Sequence, residues 1–363
     1  MGSETVAVRG ELSMSGPRTA SLRIGRRWVP LAAVGLVALA AMLVLGVALG
    51  TVSVAPGDTV AILLRRLLGV PLERTWTPTA EVIVMDLRLP RVLTSMVVGA
   101  ALAVAGATFQ GLLRNPLADP YVLGTASGAA LGAAIAVLIP IQLTVLEFGL
   151  SHGLAFAGAL LSISAVYRLS RMGPLAPLTG LLLTGYAFGS LLAAGLAMAM
   201  YLSGAQLRQI FDFLLGGLGG ASWLRLAFAF PLIAFGIGAI ILRAQGLNGL
   251  LLGEEAAAHL GVNVPRERAI LLALASLVTA AAVAISGLIG FVGLVVPHVV
   301  RIVLGPNARV VLPLSALFGA SLLAGSDLVA RLLGEIPVGV VTAVVGAPFF
   351  LYLLRRTQAG YEL

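Results

Sequence analysis

The 363-residue chain contains no lysine; all 23 of its basic residues are arginine. A Walker A loop needs a lysine on the nucleotide phosphates. If ATP drives this protein, another chain must hydrolyse it. Cysteine is also absent, which excludes a disulfide framework and thiolate chemistry. Charge is scarce, at 10% of residues, where a soluble domain carries roughly 25%. The three histidines, His152, His259 and His298, lie far apart and outside any H-E-x-x-H pattern. No catalytic residue and no metal site is therefore expected. The net charge of +8 sits between apolar runs rather than in one patch, which argues against nucleic acid.

What is abundant is apolar surface: 59% of residues are hydrophobic. A bilayer is the environment that absorbs so much of it, at about 20 residues per spanning helix. The expected fold is an all-α polytopic membrane protein with about ten transmembrane helices. The spans are expected at 28–50, 92–113, 122–141, 153–169, 177–202, 223–243, 269–289, 290–303, 310–333 and 338–354. Stretch 269–303 also reads as one span plus a short return, broken at Pro297 and Gly305. Residues 1–27 and 357–363 are expected to be cytoplasmic tails flanking a membrane domain over 28–356. Residues 51–91 read as an external loop. Within it Val60, Leu63, Leu64 and Leu67 recur at helical spacing opposite Arg65 and Arg66, predicting an amphipathic helix flat on the membrane. With the N-terminus inside, 15 of the 23 arginines fall on the cytoplasmic side, which places both termini there.

Gly124, Gly128 and Gly132, like Gly185 and Gly189, recur at every fourth position and predict close helix packing. A short echo, Phe109-Gln-Gly-Leu before Pro116 and Phe291-Val-Gly-Leu before Pro297, raises an internal repeat. Asp327 is the main acidic residue expected inside a span. Arg331, four positions on, makes it an interfacial ion pair or a coupling-ion site.

Four segments stand out. Arg88-Leu-Pro-Arg91, with Pro90 expected to open a helix, leads through Phe109-Gln110-Gly to Arg114-Asn115-Pro116-Leu-Ala-Asp119-Pro120, a stiff turn. Leu252-Gly253-Glu254-Glu255-Ala256-Ala257-Ala-His259-Leu260-Gly261 reads as a short exposed helix, acidic in its first turn and stopped by Gly261. Ile285 to Arg301 carries Pro297-His298-Val-Val-Arg301, expected as a turn, and Glu335 to Phe350 closes the series. Together these segments resemble the FecCD-type permeases, the membrane subunits of type II ABC importers for heme, iron siderophores and cobalamin. The resemblance covers about residues 30–356.

The resemblance implies a permease without an ATPase site and without a cofactor of its own, since ATP-Mg is used by a partner. It implies a homodimer in the bacterial cytoplasmic (inner) membrane with two ATP-binding subunits below and a substrate-binding protein above. Gly253, Glu254, Glu255, Ala256, Ala257, His259, Leu260 and Gly261, within the loop 246–268, would form the coupling helix; a plain connector is the alternative. Arg114, Asn115, Pro116, Pro297, His298 and Arg301 would lie in turns beside the ATPase. Arg65, Arg66 and Arg331 would dock the binding protein, or merely anchor the chain at the headgroups. Spans 92–113 and 177–202 would line the path, with Gln110, Met198, Met200, Tyr201 and Arg208 facing it or packing. Ala205–Gln209 and Gly219–Trp223 resemble the heme members more than the siderophore members, so heme is the first expected cargo. An ion-coupled secondary transporter is the competing reading; the lack of paired intramembrane carboxylates counts against it.

Overall fold

The computed structural model describes residues 28–139, 144–145, 148–172 and 177–358. The predicted N-terminal tail, residues 359–363 and the end of the predicted span 122–141 lie outside the described residues. The chain forms α1 (Trp28–Ala48), α2 (Pro56–Leu68), α3 (Pro78–Leu112) and α4 (Thr125–Leu138). Two paired two-residue strands, β1 (Thr144–Val145) and β2 (Phe148–Gly149), follow. Then come α5 (Leu150–Ser170), α6 (Pro177–Leu202), α7 (Leu207–Leu215), α8 (Trp223–Leu242), α9 (Ala244–Leu251) and α10 (Glu254–His259). The chain continues through α11 (Val264–Ser286), α12 (Val292–Leu304), α13 (Ala308–Leu332) and α14 (Val338–Gln358).

Within the described residues a helix lies at each of the ten predicted spans. Among the described residues, seven helices are long and apolar enough to cross a membrane, and α4, α12 and α14 contribute shorter apolar stretches. At 1.5 Å per residue, the 13 residues of α12 reach about 20 Å, short of the roughly 30 Å hydrocarbon core. Helix α7 was not expected, because nine residues are too few for a convincing period.

Helix α3 departs most from expectation. It starts at Pro78 rather than near residue 92, and Pro90 lies inside it. The chain accommodates that proline by widening to a π-helical turn over Ile83–Arg88. Leu89 N–H then reaches back to the Val84 carbonyl. The Met85 carbonyl would next be served by residue 90, which has no N–H, and the Trp223 indole N–H fills the gap at 2.8 Å. From Leu89 onward α3 is almost wholly buried, packed by α13, α11, α12 and α8. Its neighbours approach at glycine: a Cβ on Gly106 would lie 1.8 Å from the Gly293 carbonyl oxygen, and one on Gly99 2.2 Å from that of Gly319. The glycine spacing of α4 works the same way, since Gly128 and Gly132 sit on the Gly158 and Leu154 carbonyls of α5.

The proposed repeat is not structural. Phe109 sits within α3, whereas Phe291 precedes α12 with φ of 68°. Between α11 and α12, residues 287–291 are non-helical. Irregular backbone at membrane depth survives only where its polar groups find partners. Leu288 N–H bonds the Phe213 carbonyl at 3.1 Å, and Ile289 uses Tyr121 for both of its groups. The loops thus collect at two ends: one carries α2 and the α7–α8 connection, the other carries α9 and α10.

Candidate coupling and translocation sites

At the α10 end, Gly253 (φ 120°) and Gly261 (φ 81°) bracket α10, conformations that other residues rarely adopt. Ala257 is fully buried, and its carbonyl accepts from Val262 N–H at 3.0 Å. Glu254 pairs with Arg268 of α11 at 2.6 Å, while Glu255, Ala258 and His259 face outward. Leu252 and Leu260 flank that face at 68% and 65% exposure. The base beneath is tied on several sides. Arg243 pairs with Glu267 at 2.6 Å, and Arg114 donates to the Leu250 carbonyl at 2.9 Å. Asn248 accepts from Ala308 N–H at 2.7 Å. A recess of about 630 Å³ beside α10 is lined by Tyr167, Arg171, Glu255, Ala258, Pro265 and others. A short helix with a free outer face on a braced mount can transmit force applied from outside.

The turn 113–124 is as stiff as its prolines suggest. Asn115 Oδ1 accepts from Leu117 N–H and Asp119 Oδ1 from Tyr121 N–H, each at 2.9 Å. Burial pushes the Asp119 carboxyl up to about 6, against the opposing pull of that Tyr121 N–H. The Tyr121 hydroxyl donates to the Ile289 carbonyl at 3.0 Å and accepts from Ile289 N–H at 3.2 Å, so one side chain closes the α11–α12 break.

Pro297, His298 and Arg301 do not form a turn; they lie within α12. Pro297 is tolerated inside the helix because the Gly293 carbonyl, which its missing N–H leaves without an intrahelical donor, accepts from Gln110 Nε2 instead. The structure does bring this group together with the first motif. His298 bonds the Pro116 carbonyl, and Arg301 donates to the Ala107 carbonyl at 2.7 Å and to Gln110 Oε1. Gln110 is buried and donates to the Gly293 and Leu294 carbonyls at 3.3 and 3.1 Å. It is a packing bridge between α3 and α12, and α3 as a whole is the hub of the bundle rather than a wall of an open path.

Helix α6 is the reverse: most of its surface is exposed. Met198 and Tyr201 share an outward face, Tyr201 at 84% exposure, and Arg208 on α7 is exposed as well. Met200 points the other way, packed on Ala134, Ala199 and Ile210.

At the α2 end, Arg331 is only 3% exposed, which removes it from any docking surface. It donates to the Gly46 and Leu49 carbonyls at 2.9 and 3.3 Å and pairs with Asp327 at 3.2 Å. Arg88, also buried, donates to the Val47 and Ala48 carbonyls at 3.0 and 2.9 Å and to that of Val52. The two guanidiniums thereby satisfy the orphan carbonyls at the C-terminus of α1 and complement its dipole. Asp327 is fully buried and also takes Arg91, whose Nε lies 3.0 and 3.2 Å from its two oxygens. Arg91 then reaches Glu335 at 2.7 Å. The i,i+4 spacing announced the Asp327–Arg331 pair, but nothing local could announce Arg91, 236 residues away. Arg65 and Arg66 are exposed. Arg65 donates to the Leu72 carbonyl at 3.1 Å, and Arg66 pairs with Glu81 at 2.5 Å.

One motif was missed. Gly149-Leu-Ser151-His152-Gly153 spells G-x-S-x-G, but Ser151 lies in the first turn of α5 rather than in a strained strand-to-helix elbow.

Comparison with known proteins agrees with this architecture. The family model of the FecCD transport family matches residues 38–356. The cobalamin import system permease protein BtuC of Halobacterium salinarum is 44% identical over 289 residues, covering 79% of this chain and 77% of that one. The hemin transport system permease protein HmuU of Yersinia pestis is 45% identical over 279 residues, covering 76% and 83%. A solved inward-facing structure, described as of a metal-chelate type ABC transporter, superposes with a TM-score of 0.77 at 29% identity, covering 89% of this chain and 97% of its own. The chain belongs to the FecCD transport family.

Proposed function

We propose that the chain is the membrane-spanning permease subunit of an ATP-driven importer for a metal chelate, with heme as its cargo. The observation that carries the reading is α10: a short helix with an unpartnered outer face, bracketed by two glycines and braced on α11. A chain that lacks lysine has no Walker A loop, so the motor is a separate ATPase, and α10 is where it takes hold. Two copies pair through the exposed face of α6, with Met198, Tyr201 and Arg208 beside the path. Two ATPase subunits bind below, and a substrate-binding protein docks above, meeting Arg65 and Arg66. The arginine bias supports the orientation, with α10 and both termini on the cytoplasmic face.

The hemin permease at 45% identity supports heme, as does Arg208, an exposed cation suited to propionates. The cobalamin permease at 44% makes cobalamin the second cargo to test. The assay is ATP-dependent uptake into proteoliposomes holding the permease, its ATPase and its binding protein. Heme, a ferric siderophore and cobalamin are offered in parallel. Glu255→Arg reverses a charge on the free face without touching the Glu254–Arg268 pair. It is expected to abolish uptake and the stimulation of ATPase while the bundle stays folded. Unchanged uptake in that variant would remove α10 from the mechanism. Uptake of another chelate alone would replace heme and keep the machine.

A further inference from the structure

We infer that α2 is a membrane anchor at the α2 end of the bundle, held in the headgroup layer of the bilayer by leucines rather than by its arginines. The helix has two apolar faces. One packs into the protein: Thr59 and Ile62 are buried, Ile62 against Val47, Trp76 and Val84, and Leu63 is half-buried beside them. The other, roughly a quarter-turn or more around the helix, consists of Val60, Leu67 and Leu68, with Leu68 at 71% exposure and Leu67 at 57%. The sequence pattern had counted Leu63 on the membrane face. The structure exchanges it for Leu68.

The level of α2 follows from helix lengths. The 21 residues of α1 rise about 32 Å, which matches the hydrocarbon core, so α1 ends at the headgroups near Ala48. Arg88 fixes that level on α3 by bonding the Val47 and Ala48 carbonyls. Two turns farther out on α3, Glu81 holds Arg66 of α2 at 2.5 Å, Arg74 at 2.9 Å and the Trp76 indole N–H at 3.2 Å. Ile62 of α2 packs in one cluster with Val47 of the last turn of α1, so α2 lies level with the end of α1, in the headgroup layer where interfacial helices settle. Exposed apolar residues also run along the chain that leads from α1 into α2, at Val44, Leu45, Leu49 and Val52. That continuity selects lipid as the occupant.

The arginines do not do the anchoring. Arg66 is spent on Glu81, and Arg65 lies over the Trp76 ring at 5.9 Å while donating to the Leu72 carbonyl. Depth should then be insensitive to the anionic lipid content.

The absence of native cysteine makes the test direct. Leu67→Cys and Leu68→Cys, each labelled with a nitroxide, are placed in nanodiscs. Power saturation compares collision with oxygen, which partitions into lipid, and with a water-soluble nickel chelate. Val37→Cys on exposed α1 is the lipid reference and exposed Glu73→Cys the aqueous one. The oxygen-to-nickel ratio at 67 and 68 is expected several-fold above that at 73, and the same in zwitterionic and anionic nanodiscs. A ratio equal to that at 73 overturns the anchor. So does nickel protection that appears only when the binding protein is added, which would assign the face to a protein partner. A depth that tracks anionic lipid would overturn the leucine mechanism. None of these outcomes depends on the cargo or on ATP.

Discussion

Replacing Asp327 by alanine tests the buried network where it is most exposed to failure. The carboxylate is fully buried and receives Arg91 at 3.0 and 3.2 Å and Arg331 at 3.2 Å. Removing one partner of a buried ion pair costs about 3–5 kcal/mol, because the other charge remains desolvated and uncompensated. Two guanidiniums are stranded here. However, Arg331 keeps the Gly46 and Leu49 carbonyls and Arg91 keeps Glu335, so the same range of ~3–5 kcal/mol is expected rather than its double. Asp327→Asn retains an acceptor and should cost roughly half as much. Glu335→Ala removes only the half-exposed end of the chain of charges and should stay within about 1 kcal/mol. The assay is detergent-titrated unfolding of the purified chain in mixed micelles, with the Asp327→Ala, Arg331→Met double-mutant cycle closing the comparison. A coupling of about 0.5–3 kcal/mol between the two sites is expected. If Asp327→Ala proves no worse than Glu335→Ala, the network does not hold the bundle.

Four further outcomes follow from single positions. Gly106→Ala places a methyl 1.8 Å from the Gly293 oxygen and should cost ~1–3 kcal/mol or more in the same titration. Gly238→Ala, in an open part of α8 with nothing within 4 Å, should stabilise by about 0.5–1 kcal/mol. Tyr121→Phe strips Ile289 of both backbone partners and should cost ~1–3 kcal/mol, with faster hydrogen exchange confined to residues 287–291. Asp119 has a folded pKa of about 6, above its usual 3.8, so the folded state binds the extra proton. Its contribution should be full below the usual value and fall away as pH rises towards 6, then stay level; Asp119→Asn should erase that slope in a melting-temperature series.

The fold was legible because lipid imposes one rule, a run of about 20 apolar residues per span, which seven of the described helices obey and which α4, α12 and α14 meet only in part. What was hidden is long-range. Pro90 reads locally as a helix start, but Trp223 supplies the bond that lets α3 run through it. Arg331 reads as a rim cation, and only the folded chain brings Gly46, Leu49 and Arg91 around it and Asp327. Gln110 and Met200 read as candidates for a channel because polar and thioether groups in an apolar helix draw attention. Carbonyls across the α3–α12 contact claim the first, and Ile210 with its neighbours claims the second. The α10 segment was legible for the opposite reason. Its glycines, first-turn carboxylates and alanines are all local signals, and the longest reach among them is the 14 residues from Glu254 to Arg268.

The missing lysine takes on a structural sense at two of these positions. Arg88 serves three carbonyls at once, and Arg331 serves two carbonyls and a carboxylate. A guanidinium offers five donors in a planar fork and stays charged when buried. An ammonium offers three donors from one point and gives up its proton readily in a desolvated site. Lysine at 88 would have to gather the Val47, Ala48 and Val52 carbonyls around a single nitrogen while losing its hydration. Arg88→Lys should therefore release the end of α1 and the anchor helix that follows it. Arg65→Lys, at an exposed position with a single carbonyl bond, should change little. Spin-label mobility at Leu68→Cys in the two backgrounds separates them: a marked increase with Arg88→Lys and none with Arg65→Lys is expected. Equal mobility would show that the α1 terminus does not depend on the fork.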